Sequence, residues 1–70
     1  MIHQLYLGDK FSGYSVVSDA KYPGIMWRVQ SPDGSLSDMV NLTRAKDAAI
    51  AYARPRGLGG HERHYWQALE

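Results

Sequence analysis

The sequence predicts a single α+β domain in which one helix packs across a three-stranded antiparallel sheet. Two stretches carry that expectation. Residues 26–54 read as a strand (MWRVQ), a tight turn (SPDGS), a second strand (LSDMV) and a helix that begins at once (NLTRAKDAAIAYAR). Upstream, Tyr14–Ser18 (YSVVS) is rich in the β-branched and aromatic residues that suit a pleated, half-buried surface. At 70 residues the chain is one domain, and a small one, so it buries a modest share of its surface.

The elements follow in order. Met1–Leu7 (MIHQLYL) mixes apolar and polar residues and suits an N-terminal edge strand or an irregular arm. Gly8-Asp9-Lys10 reads as a turn, and Tyr14–Ser18 as the first firm strand. Asp19–Gly24 is a loop whose Tyr22-Pro23-Gly24 holds a turn, because proline presets one backbone angle and glycine permits the left-handed one. Met26–Ser31 is the second strand. Pro32-Asp33-Gly34 then suits a type I turn closed by a left-handed glycine bulge.

That turn implies a register. Ser31 pairs with Ser35, Gln30 with Leu36, Val29 with Ser37, Arg28 with Asp38, Trp27 with Met39 and Met26 with Val40. Since side chains alternate between faces, Trp27, Val29 and Met39 are expected in the core. Arg28, Gln30 and Asp38 fall on the other face, among Met26, Leu36 and Val40.

Asn41 or Thr43 can cap the helix with a side-chain oxygen. Leu42, Ala45, Ala48, Ala49 and Tyr52 fall on one stripe at helical spacing, and the small alanines in it let the helix sit close to the sheet. Ile50 falls beside Lys46, away from that stripe. Pro55 ends the helix, because the residue before a proline is pushed out of the helical region. Residues 1–56 therefore make the sheet-plus-helix domain. Residues 57–70 make a glycine-rich flexible joint (GLGG) and a basic-aromatic tail (HERHYWQALE), whose Tyr65 and Trp66 can return to the core on a last helical turn. Leu69 and Glu70 carry no functional weight in this reading.

Charge and composition narrow the functions. The formal net charge is +1. Residues 1–53 balance Lys10, Lys21, Arg28, Arg44 and Lys46 against Asp9, Asp19, Asp33, Asp38 and Asp47. The small positive excess lies in residues 54–70, where Arg54, Arg56 and Arg63 stand against Glu62 and Glu70. Phosphate contacts supply most non-specific nucleic-acid affinity, so a neutral main domain argues against a dedicated DNA binder. The chain has no cysteine, which excludes disulfides and thiolate metal sites. No leader of basic and apolar character and no membrane-length apolar run is visible, so a cytoplasmic protein is expected.

No catalytic constellation stands out, and no enzyme activity, cofactor or metal is expected. His61 and His64 sit three apart and with Glu62 resemble a fragment of a zinc site, but a catalytic zinc needs at least three protein ligands, and His3 could join them only by a coincidence of folding. Asp33-Gly34 lacks the spacing and ligand count of a calcium loop and belongs to a turn. Gly57–Gly60 lacks the lysine and hydroxyl residue of a phosphate loop. The Arg28–Asp38 pair reads first as a cross-strand ion pair. Arg63, His64, Tyr65 and Trp66 form a basic-aromatic cluster, suited to closing the core, to an interface where Trp, Tyr and Arg dominate, or to base stacking.

The run from Pro32 to Ala49 (PDGSLSDMVNLTRAKDAA) resembles small bacterial proteins that carry Trp or Tyr before Arg-Val, then the same hairpin and helix start. That resemblance implies no activity. The layout from Tyr14 to Ala53 is similar to the three-stranded sheet and helix of AP2 and integrase arm-binding domains. It implies DNA binding by the sheet face opposite the helix, where Arg28 and Gln30 fall beside Asp38. In size and lack of chemistry the chain is similar to phage-encoded inhibitors such as anti-CRISPR proteins, a likeness of type without a motif. The leading expectation is a protein-binding module, an accessory or inhibitor from a phage or mobile element, using Arg28, Gln30, Ile50, Arg63, Tyr65 and Trp66. A small DNA- or RNA-binding domain is the second reading. A homodimer closed through a strand edge or the tail is the third.

Overall fold

The structure, a computed structural model, describes residues 2–54 and 63–69. Strands β1 (Ile2–Leu7), β2 (Lys10–Ser18) and β3 (Trp27–Gln30), helix α1 (Leu42–Ala53) and strand β4 (His64–Leu69) follow in that order. The strands form one antiparallel sheet in the order β3-β2-β1-β4. α1 lies on one face, chiefly over β2 and β3.

The N-terminal segment is a strand, one of the two expected alternatives, but it is central rather than an edge. β2 and β4 flank it. β1 and β2 meet through Gly8-Asp9, and Gly8 has the positive φ (65°) that a type II′ hairpin turn requires of its first central residue. β2 starts at Lys10, earlier than the sequence suggested, and carries a bulge. Gln4 pairs with Ser15 but Tyr6 pairs with Phe11, so β2 holds two extra residues there. The Ser12 hydroxyl bridges the gap, donating to the Leu5 carbonyl at 2.7 Å and accepting from the Tyr14 N–H at 3.1 Å. Two extra residues, unlike one, leave the facing of side chains unchanged beyond the bulge.

The predicted third strand is corrected. The turn is as expected: Ser31 N–H donates to the Ser35 carbonyl, Gly34 N–H to the Ser31 carbonyl, and Gly34 has φ 91°. Gln30 still pairs with Leu36, and Ser37 N–H donates to the Val29 carbonyl. Then the register slips by one, and Trp27 exchanges both backbone bonds with Val40 rather than facing Met39. The Ser37 hydroxyl causes the break by taking the Val29 N–H at 2.9 Å and donating to the Asp38 carbonyl at 3.1 Å. Residues 36–40 thus lie along β3 as isolated bridges. Met39 is 39% exposed, and Val40 packs against the core in its place.

The same slip removes the expected Arg28–Asp38 pair. Arg28 Nε instead donates to Asp19 Oδ2 at 2.7 Å, and its Nη1 to the Ser37 carbonyl at 2.9 Å. Asp19 Oδ1 accepts from the N–H groups of Lys21 and Tyr22, so one carboxylate closes the β2–β3 loop and anchors the arginine. These donors, the Arg28 guanidinium foremost, hold the Asp19 carboxyl below the ordinary range.

Leu5, Leu7, Val16, Trp27 and Val29 fill the sheet side of the core, and Ala45, Ala49 and Ala53 the helix side. Asn41 supplies the cap, its Oδ1 accepting from the Arg44 N–H at 2.8 Å. The buried stripe is rotated from the expected one. Ala53 joins it, Tyr52 is half exposed against the Tyr14 ring, and Ile50 packs against the core rather than standing clear. The tail is also corrected. His64–Leu69 forms a strand, not a helical turn, because β1 offers it a full antiparallel ladder from Ile2↔Leu69 to Leu7↔His64. Pro55, Arg56, the glycines of 57–60 and His61 lie outside the described residues.

Candidate functional site

The face of the sheet turned away from α1 has no element over it among the described residues. The ladders arrange its side chains in three rows across the strands. Arg28, Val17, Ile2 and Leu69 form the first; Gln30, Ser15, Gln4 and Gln67 the second; Phe11, Tyr6 and Tyr65 the third. A polar amide row therefore runs between a row that is aliphatic apart from Arg28 and an aromatic row.

The aromatic row is a packed unit. Tyr6 and Tyr65 stack with centroids 5.1 Å apart and planes 11° apart, and Phe11 tilts against Tyr6 at 5.7 Å. Phe11 and Tyr65 still leave 45% and 47% of their surface to solvent. The Tyr6 hydroxyl reaches Gln4 Oε1 at 3.5 Å, tying this row to the amides. Arg28 is the one formally charged member of the three rows, and Asp19 neutralises it. The surface is consequently neutral, partly apolar and rich in amide groups.

The structure divides the sequence-predicted residues between two faces. Arg28, Gln30 and Tyr65 lie on the open face. Arg63 is exposed just beyond it, its carbonyl bonded to the Gly8 N–H. Ile50 and Trp66 lie on the helix side and pack against the core. Trp66 stands opposite the buried Leu5, with Lys46 Nζ 5.2 Å from its ring centroid. His64 Nδ1 lies 3.1 Å from Arg54 Nη2, and His3 packs at 5.2 Å against the Trp27 ring. Among the described residues no three His, Asp or Glu side chains converge as metal ligands.

Ile2, Tyr6, Phe11 and Leu69 were missed as surface candidates. The signal for the first two was present, since the even positions of IHQLYL alternate with His3, Leu5 and Leu7, and the Gly8-Asp9 turn folds Phe11 back beside Tyr6. No helix among the described residues is long and apolar enough to cross a membrane. No family model matches the chain, and neither the curated proteins nor the solved structures searched contain a match.

Proposed function

We propose that this chain is a non-enzymatic protein-binding module that docks through the open face of its sheet. The arrangement fits a small accessory or inhibitor protein of the phage or mobile-element kind, acting on a nucleic-acid-handling complex. The observation that carries this reading is the three-row surface. Exposed aromatic and aliphatic side chains flank a line of amides, and no unpaired formal charge stands among them. Protein interfaces favour such composition, with charged groups depleted from the centre and tyrosine and phenylalanine enriched.

Nucleic acid is the weaker reading on the same surface. A phosphate backbone needs unpaired cations, whereas Arg28, the residue suited to that role, is held by Asp19 and the Ser37 carbonyl. The rings of Tyr6 and Tyr65 also stack on each other instead of standing apart to receive bases.

The test has two arms. Titration with single-stranded and duplex DNA at low salt, followed by tryptophan fluorescence, is expected to show no saturable binding. Affinity capture with wild type, a Phe11→Glu variant and an Asp47→Ser control on the opposite surface is expected to yield a partner kept by wild type and control and lost by Phe11→Glu. Salt-sensitive DNA binding that Phe11→Glu abolishes would replace the reading with nucleic-acid recognition. A partner held equally by all three chains would move the docking surface elsewhere.

A further inference from the structure

The two edges of the sheet are unlike. Along β3 the outer edge is covered, because residues 35–40 run beside it and bond to Trp27, Val29 and Ser31. Along β4 no described element pairs with the outer edge. A strand edge in that state is a row of backbone donors and acceptors ready for another chain.

The ladder identifies which residues turn outward. The Gly8 N–H donates to the Arg63 carbonyl at 2.9 Å, in register with the β1–β4 pairing. Backbone groups alternate sides along a strand. Tyr65, Gln67 and Leu69, in step with Arg63, therefore turn theirs toward β1. His64, Trp66 and Ala68 turn theirs to the open edge. The strand also lacks proline and formal charge, the usual guards of an exposed edge. Five of its six residues are exposed, Trp66 being the half-buried exception. α1, lying over β2 and β3, leaves the helix side of β4 thinly covered.

We infer that β4 pairs antiparallel with β4 of a second copy, about a two-fold axis through Trp66. This inference stands on the strand edge and is independent of what binds the open face. The edge is self-complementary. Trp66 falls opposite Trp66, and His64 opposite Ala68 in both directions, so every outward N–H and C=O between them finds a partner. On the open face Tyr65 falls opposite Gln67, and no like formal charges meet. On the helix side each Trp66 lies against its counterpart, supplying the cover that α1 does not. The other edge being closed by residues 35–40, this pairing uses the one open edge among the described residues. Assembly then stops at two copies instead of growing into a fibre. The result is a continuous eight-stranded sheet whose two three-row faces share one side, which doubles the surface offered to a partner.

A self-pairing strand should also show in the amides. In hydrogen exchange by NMR, the Tyr65 and Gln67 amides are expected to be protected at every concentration, because they bond to β1. Those of His64, Trp66 and Ala68 are expected to gain protection as the concentration rises. Sedimentation equilibrium over the micromolar range should show a dimer for the wild type. Ala68→Pro removes an outward N–H and leaves the β1 ladder intact, a position where an edge strand tolerates proline. It should weaken association by at least about tenfold with an unchanged circular dichroism spectrum. A wild type that stays monomeric throughout, or outward amides that exchange fast at all concentrations, would overturn the inference. So would a dimer that a folded Ala68→Pro leaves intact. If Ala68→Pro does not fold, the wild-type exchange series decides alone.

Discussion

Gly13 and Gly34 offer a controlled comparison. Both have φ 91°, a conformation that side chains rarely adopt, yet their surroundings differ. A Cβ added at Gly34 meets nothing within 4 Å, whereas one at Gly13 lies 2.8 Å from Pro32 Cγ and 3.3 Å from Pro32 Cβ. Gly34→Ala should therefore cost the backbone strain alone, about 1–2 kcal/mol. Gly13→Ala should cost the same strain plus an overpacking cost of about 1–3 kcal/mol, because the bulge of β2 is pressed against the proline that opens the β3 turn. A domain of this size has a stability on the order of 4–10 kcal/mol, so Gly13→Ala removes a large part of it. Urea unfolding followed by the fluorescence of the buried Trp27 measures both variants. The decisive variant is the double substitution Gly13→Ala with Pro32→Ala, referred to Pro32→Ala alone. In that background the 2.8 Å contact with Cγ is gone and only the 3.3 Å contact with the retained Cβ remains, so the cost of the alanine should fall most of the way toward that of Gly34→Ala, a coupling expected of residues in contact. If Gly13→Ala costs no more than Gly34→Ala, or if removing the proline ring leaves its cost unchanged, the packing argument is wrong.

Further outcomes follow from the caps, charges and core. Asn41→Ala should lower stability by about 1 kcal/mol, while Thr43→Ala should be nearly neutral, because the Arg44 N–H is satisfied by Asn41; equal effects in urea melts would place the cap elsewhere. Asp19 has a depressed carboxyl, so its contribution is present above the ordinary carboxylate range near pH 4 and is lost as the pH falls through the lowered value. Asp19→Asn should lower stability at neutral pH and flatten the acid limb of a stability profile. Burial, with Lys46 nearby, holds His3 below its ordinary value. The unfolded chain then takes up the proton first, and stability should decline as the pH drops below about 6.5. His3→Phe, which keeps a ring against Trp27, should lessen that decline, and an unchanged slope would show that another group carries it. Ala49→Leu should destabilise by about 1–3 kcal/mol or more, since Ala49 is fully buried against the sheet; a neutral effect would mean that α1 can lift off without loss.

Features that depend on a few neighbouring residues were legible in the chain before folding. The Pro32-Asp33-Gly34 turn, the start of α1 at Asn41 and the burial of Trp27 and Val29 follow from local backbone preferences and from alternation. Tertiary structure decided what depends on competition between distant partners. The Ser37 hydroxyl outcompeted a ladder carbonyl for the Val29 N–H, so the register slipped and Arg28 turned to Asp19 instead of Asp38. The face that α1 buries, with Ala53 in it and Ile50 packed against the core, depends on its docking against β2 and β3. HYWQAL became a strand because β1 had a free edge, a fact absent from those six residues. The candidate surface shows the same division. Each row on the open face takes side chains from strands far apart in the chain, and only the pairing of β1 with both β2 and β4 brings Phe11, Tyr6 and Tyr65 together. Alternation tells which side chains share a face of one strand, but register, which only long-range pairing sets, tells which of them become neighbours.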